Sequence, residues 1–194
     1  MTNIIDELNE LAGAGLIAIR SGPALAELLE ELPGLGSALR DNLRALAAWF
    51  TDDLRDGDLG GQVAEAAAHV TAMHEAAEQA QAIFAASAAF WLTEGAASGA
   101  SRADAIAEAM APGFLPDSGD ELQDTMEGLP EFARYLEESL ISIGEWYDEV
   151  RGSNDQPTAE LLADMRQALS SARDALGEAG TMFDSRYSFW TQGY

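Results

Sequence analysis

SGDELQDTMEGLPEFARYLEESLISIGEWYDEVR, residues 118–151, decides the fold. Its apolar side chains Leu122, Met126, Leu129, Ala133, Leu136, Leu140, Ile143, Tyr147 and Val150 recur at intervals of three and four. On a helix such positions form one stripe, and over four heptads the stripe becomes a coiled-coil-like seam. A half-buried strand would need strict alternation, which is absent. Ser118 with Glu121 reads as a capping box that opens the helix. Pro130 has no N–H and a fixed φ, so it is expected to kink the helix or to restart it from its own first turn.

Two more segments carry the same rhythm. Val63, Ala66, Val70, Met73, Ala77, Ala80, Phe84, Ser87 and Trp91 form one seam, and Leu162, Met165, Leu169, Ala172, Leu176, Ala179 and Phe183 form another behind Pro157. Short turns between such helices favour antiparallel packing within one chain over packing completed by another copy. Ahead of them, proline and glycine predict shorter helices. One should cover residues 2–20, a second should run from Gly22-Pro23 until Pro33-Gly34 stops it, and a third should start at Ser37 and reach Leu54. Ser101 with Asp104 predicts a short capped helix ending at Met110, before Pro112-Gly113. Only three valines occur, so strand material is scarce.

The resulting expectation is an all-α helical bundle of about six to seven helices. Three of them are long, at about 62–94, 118–151 and 157–183. Residues 1–184 should form a single domain, with the shorter helices in 1–58 and the long-helix core in 62–183, followed by an aromatic tail at 185–194. Thirty-seven alanines in 194 residues mean that the core must rely on close helix approach rather than on bulk.

Thirty-four acidic side chains face ten arginines, no lysine is present, and the formal charge is −24. Direct binding to nucleic acid or anionic lipid is thereby disfavoured, since both need cationic side chains to replace counterions. The skew matches proteins from salt-loving organisms, where carboxylates hold a hydrated surface, and equally the output of an alanine-rich, GC-rich genome. Absence of cysteine removes disulfides, thiolate metal sites and cysteine nucleophiles. The longest nearly apolar run, Leu11 to Ile19, is about half a membrane crossing, and no basic segment precedes it. The expected setting is soluble, either cytoplasmic or within a macromolecular assembly, with no signal peptide and no membrane insertion.

Chemistry-bearing constellations are weak. His69 and His74 lie five apart and so cannot share a metal as an i, i+4 pair would. His74 reads as a helix-surface histidine beside Glu78. Asp52, Asp53, Asp56 and Asp58 crowd Gly57 without the alternation and closing glutamate of a calcium loop, and read as a solvated helix end. Neither histidine follows a glutamate by three residues, which a di-iron bundle would require. No nucleophile elbow, phosphate loop or dinucleotide fingerprint occurs. The Trp-x-Gly turn of type VII-exported helical hairpins is missing as well, since neither Trp91 nor Trp190 has glycine two residues on. The expectation is a non-enzymatic protein without catalytic residues, cofactor or metal.

Two surfaces stand out. Glu131, Glu137, Glu138, Glu145, Asp148 and Glu149 belong to an anionic helix face that could imitate the phosphate track of DNA and occupy a DNA-binding protein. At the other extreme of polarity, Tyr187, Phe189, Trp190 and Tyr194 fall in the last eight residues. They should fold back on the bundle or anchor another subunit. The reading that follows is an acidic structural or adaptor protein that assembles with other protein subunits or with itself, in a complex such as a virion or secretion apparatus. A nucleic-acid mimic is the alternative.

Overall fold

The computed structural model describes residues 4–16, 21–87, 101–116, 118–151 and 155–187. Every regular element among them is helical: α1 (Ile4–Gly13), α2 (Gly22–Asp52), α3 (Gly57–Ser87), α4 (Ala103–Ala109), α5 (Gly119–Arg151) and α6 (Gln156–Tyr187). No helix among these residues is long and apolar enough to cross a membrane.

The seams read from the sequence are the core. Val63 through Phe84 in α3, Leu122 through Tyr147 in α5 and Leu162 through Phe183 in α6 are buried at every described seam position. Val150 departs from its seam, being half exposed one turn beyond Tyr147. Trp91 lies outside the described residues.

Among the described residues there are four long helices rather than three. The expected break at Pro33-Gly34 does not occur, and α2 runs for 31 residues through it. Leu25, Leu28, Leu29 and Leu32 before the proline continue as Leu35, Leu39, Leu43 and Leu46 after it, all buried. Eight buried leucines contribute on the order of 12–24 kcal/mol. An interior proline and an added glycine cost about 3 and about 1 kcal/mol, so packing in register wins. The crossing also exploits the interruption. Gly36 lets α3 approach until an added Cβ would sit 3.0 Å from the His74 Cβ, and the His74 Nδ1 meets the Pro33 carbonyl at 2.9 Å.

Other boundaries moved for local reasons. α1 stops at Gly13 rather than near Arg20, because Gly15 takes φ +81 and turns the chain so that Leu16 is buried. The expected capping box at Ser101 is not formed as such. The Ser101 hydroxyl accepts from the Ala103 N–H, whereas the Asp104 N–H turns to Glu31. At Ser118 the cap is as expected, its hydroxyl accepting from the Glu121 N–H at 3.2 Å. Pro130 neither ends nor restarts α5, which passes through it. The Met126 carbonyl, deprived of its helical donor by the proline, lies against Gly180 of α6, where an added Cβ would stand 3.3 Å away.

Topology follows from which ends meet. α2 packs on α3, α3 on α6 and α6 on α5, while α1 and α4 bridge from α5 back to α2. The start of α3 meets the end of α6, since Asp56 and Asp58 pair with Arg186. The end of α3 meets the end of α5, since the Phe84 and Tyr147 rings lie 6.4 Å apart. Thus α3 is antiparallel to both α2 and α6 and parallel to α5. The long connection through α4 is what a parallel pair demands. Arg102 fastens this crossover by donating to the carbonyls of Ala14 and Gly15.

Candidate functional site

The end of α6 is built from both neighbours. Arg55 adopts φ +58 after α2, and this left-handed step delivers Asp56 to the start of α3. There one carboxylate oxygen accepts the Leu59 N–H at 3.1 Å, capping the helix, and also the Arg186 guanidinium. The other oxygen accepts the Tyr187 hydroxyl at 3.0 Å. Arg186 reaches Asp58 with its second nitrogen at 3.2 Å. Burial, the largest single influence, pushes the Asp56 carboxyl up. The Arg186 guanidinium, the Leu59 N–H and the Tyr187 hydroxyl together outweigh it and hold Asp56 below the ordinary carboxylate range. Tyr187 is pushed upward by burial and then by the Asp56 carboxylate.

Beneath this lock the rings are stacked. Phe183 and Tyr187 lie 5.4 Å apart at 27°, and Phe50 of α2 lies 6.5 Å from Phe183. Of the aromatic tail, Tyr187 therefore packs on its own bundle as the last residue of α6. Phe189, Trp190 and Tyr194 lie outside the described residues.

A second lock closes the opposite end. Asp155 precedes α6 and is 5% exposed. It accepts from the Tyr147 hydroxyl at 2.7 Å and from the Thr158 hydroxyl at 3.2 Å. Each end of the α3–α6 pair thus has a buried aspartate at a helix start, held by a tyrosine from the end of another helix.

The six acids of the α5 face separate into two groups. Glu131 and Glu138 flank Arg134, and Arg134 holds the Glu131 carboxyl below its ordinary range against the opposing effect of burial. Glu137, only 12% exposed, pairs with Arg173 of α6. These three are tied within the bundle. Glu145, Asp148 and Glu149 are exposed along the last two turns of α5.

The apparent calcium cluster resolves into separate roles. Asp56 is a buried cap and Asp58 is an exposed partner of Arg186, while Asp52 and Asp53 are exposed at the end of α2. Gly57, Gly60 and Gly61 belong to α3 rather than to a loop. Among the described residues no three His, Asp or Glu side chains come together as a cation would need. His74 is 17% exposed, with its Nε2 3.7 Å from Glu78 on the same helix and its Nδ1 against the Pro33 carbonyl of α2, so it is an interhelix contact more than a surface residue.

Along the outer side of α6 runs an open groove of about 600 Å³, lined by Pro130, Arg173, Asp174, Gly177, Glu178, Thr181 and Met182. Its origin is steric. Pro130 brings no N–H or long side chain, and Gly177 leaves its space empty, with nothing within 4 Å of where a Cβ would be.

Asp155 and Arg186 were missed as organising residues. The signal for Asp155 was present, an aspartate directly before Gln-Pro-Thr at a helix start. Arg186 gave none, because its partners lie about 130 residues away. Comparison with known protein families, curated proteins and solved structures finds no match for this chain.

Proposed function

We propose that this chain is a non-enzymatic structural or adaptor protein that works by packing against other protein chains, through the aromatic sequence that follows α6. The observation that carries this reading is the lock at Asp56. Arg186 and Tyr187 fix the last turn of α6 to α3, so an uncharged, aromatic segment, Ser188-Phe189-Trp190-Thr191-Gln192-Gly193-Tyr194, issues from a defined point on an acid-coated body. Aromatic side chains anchor interfaces at low entropic cost. A setting within a virion or a secretion apparatus is consistent with such a part.

The test is native mass measurement of the whole protein, alone and after capture from its source extract, with Phe189→Ser/Trp190→Ser alongside. Loss of self-association or partner capture at unchanged helicity supports the reading. Unchanged association in the double variant sinks it.

The mimic reading keeps a narrower base. Glu145, Asp148 and Glu149 project from neighbouring turns at the i, i+3, i+4 spacing of about 5–6 Å and are exposed. Capture of a basic, DNA-binding partner that vanishes in Glu145→Gln/Asp148→Asn/Glu149→Gln supports it.

A further inference from the structure

α1 packs on α5 and α4 and buries Ile5, Leu8, Ala12 and, just beyond its end, Leu16. Its register on α5 is set by close approaches. An added Cβ on Gly128 would stand 2.5 Å from the Ile5 Cγ1, one on Gly13 would stand 3.4 Å from the Tyr135 ring, and the Leu16 N–H donates to the Ser139 hydroxyl at 3.2 Å. Residue numbers rise together along the two helices, so α1 is parallel to α5. Gly128, Phe132, Tyr135 and Ser139 thereby form a second stripe of α5, apart from the seam that runs from Leu122 to Tyr147. Phe132 on that stripe is fully buried.

The polar ties of α1 are sparse. Asn9 Nδ2 donates to the Gly128 carbonyl at 3.4 Å, whereas Asn9 Oδ1 is buried without a hydrogen-bond partner. Such an orphaned acceptor favours the detached, hydrated state. Ten residues are too few to hold a helix alone in water, so α1 is helical only while it is docked.

Charge opposes the docking. α1 carries Asp6, Glu7 and Glu10, all exposed, and no arginine. Among the described residues no ion pair joins these carboxylates to the bundle. Arg102 donates instead to the carbonyls of Ala14 and Gly15 beyond the helix. The elements under α1 are acidic too. α5 carries Asp124, Glu127 and Glu131 on the turns around Gly128, with Glu131 balanced by Arg134, and α4 carries Asp104 and Glu108. Packed helices lie about 8–10 Å apart. At about 10 Å in water a like-charged pair shifts an equilibrium about twofold, so a few such pairs shift it about five- to tenfold. The parallel arrangement adds to this by setting like ends of the two helix dipoles side by side.

We propose that α1 is a salt-gated strap. It detaches as a unit more readily than the long helices unfold, uncovers the α5 stripe at Phe132 and Tyr135, and detaches less as salt rises. Screening reaches about 30 Å at 0.01 M salt and about 3 Å at 1 M, so the repulsion acts in dilute salt and vanishes in concentrated salt. The apolar contacts of Ile5, Leu8 and Leu16 remain throughout and close the strap once the repulsion is gone.

The test is amide hydrogen exchange on the full chain, resolved by residue with NMR, at about 0.01 M and about 1 M NaCl. Glu7→Gln/Glu10→Gln is the informative variant. It removes two charges without changing size, and it keeps Asp6, whose charge favours the amino end of α1. In dilute salt the amides of α1 should exchange about a hundredfold or more faster than those of Leu169, Ala172 and Leu176 in α6, as a sub-global opening requires. On raising the salt, protection of α1 should grow about five- to tenfold more than that of α6. Reference to α6 cancels the effect of salt on the whole fold. The double variant should lose most of this excess.

α1 amides that exchange together with those of α6 show that the strap does not open by itself, and overturn the inference. An α1 that opens alone without an excess response to salt overturns it as well, and so does an excess of the same size in the double variant.

Discussion

Replacing Tyr147 with phenylalanine separates the locked state of the bundle from its packing. The Tyr147 ring is fully buried, and its hydroxyl donates to Asp155 at 2.7 Å. Phenylalanine keeps the ring and its contact with Phe84, and removes the hydroxyl that donates to Asp155. A hydrogen bond to a charged acceptor is worth about 1.5–3 kcal/mol, so the variant should lose roughly that much near pH 8. Burial, followed by the adjacent Asp155 carboxylate, pushes the Tyr147 phenol up to about 12 from an ordinary 10.0. The folded state therefore keeps a proton that the unfolded chain releases. That contribution is complete below about pH 10 and disappears as pH rises from about 10 to about 12, for a total of about 3 kcal/mol. The stability gap between the parent and Tyr147→Phe should accordingly shrink across this interval and close or reverse at its top. Urea unfolding followed by far-UV circular dichroism, at steps from about pH 8 to pH 12, measures the gap. A gap of constant size over the whole interval would refute the assignment of the raised phenol to Tyr147.

Asp56→Ala removes a helix cap and the centre of the other lock, and a lost cap alone costs about 1–2 kcal/mol. Because the Asp56 carboxyl is held below its ordinary 3.8, its contribution is present above that value and lost as pH falls through the lower, folded value. Acid unfolding should thus be less steep in Asp56→Asn than in the parent, and equal steepness counts against the lock. Gly60→Ala and Gly61→Ala form a pair that tests the α2–α3 crossing. A Cβ on Gly60 would overlap the Thr51 hydroxyl and stand 2.8 Å from the Ala47 carbonyl, whereas one on Gly61 meets nothing within 4 Å. Thermal melts should show Gly60→Ala destabilised by about 1–3 kcal/mol and Gly61→Ala stabilised by up to about 1 kcal/mol. Equal melts would mean that the helices do not cross so closely.

Most of the fold was legible because helix burial is periodic, and periodicity survives in one dimension. The seams of α3, α5 and α6 needed only the spacing of their apolar residues. α2 was misread as two helices because proline and glycine are local signals of about 1–3 kcal/mol each. The burial that overrides them becomes visible only when Leu32 and Leu35 are seen to continue one stripe. Asp56 illustrates the reverse limit. In sequence it is one carboxylate among four near a glycine, and only the end of α6 makes it a buried cap. The tail was legible as an aromatic cluster, yet Tyr187 turned out to divide from it, because helix α6 continues far enough for its hydroxyl to reach Asp56.

The use made of the arginines bears on how this protein can associate. Arg134 is spent on Glu131 and Glu138, Arg173 on Glu137 and Asp174, Arg186 on Asp56 and Asp58, and Arg40 on Asp41. Arg102 faces backbone carbonyls that end α1. Arg173, Arg186 and Arg102 join one element to another while Arg134 and Arg40 are used within their own helices, and the remaining acids leave each copy strongly negative. Two copies therefore repel until salt screens them, over a distance of about 10 Å at 0.1 M and about 3 Å at 1 M. The proposed contacts of Phe189 and Trp190 with another chain are uncharged and would not weaken on screening. Association through the aromatic sequence that follows α6 should then strengthen as salt rises, whereas capture of a basic partner by Glu145, Asp148 and Glu149 should weaken. The sign of one salt titration, read by light scattering for the chain alone and by retention of a basic partner, decides between the two surfaces. A dimer that dissociates on adding salt would show that charge, and not the aromatic segment, holds the copies together.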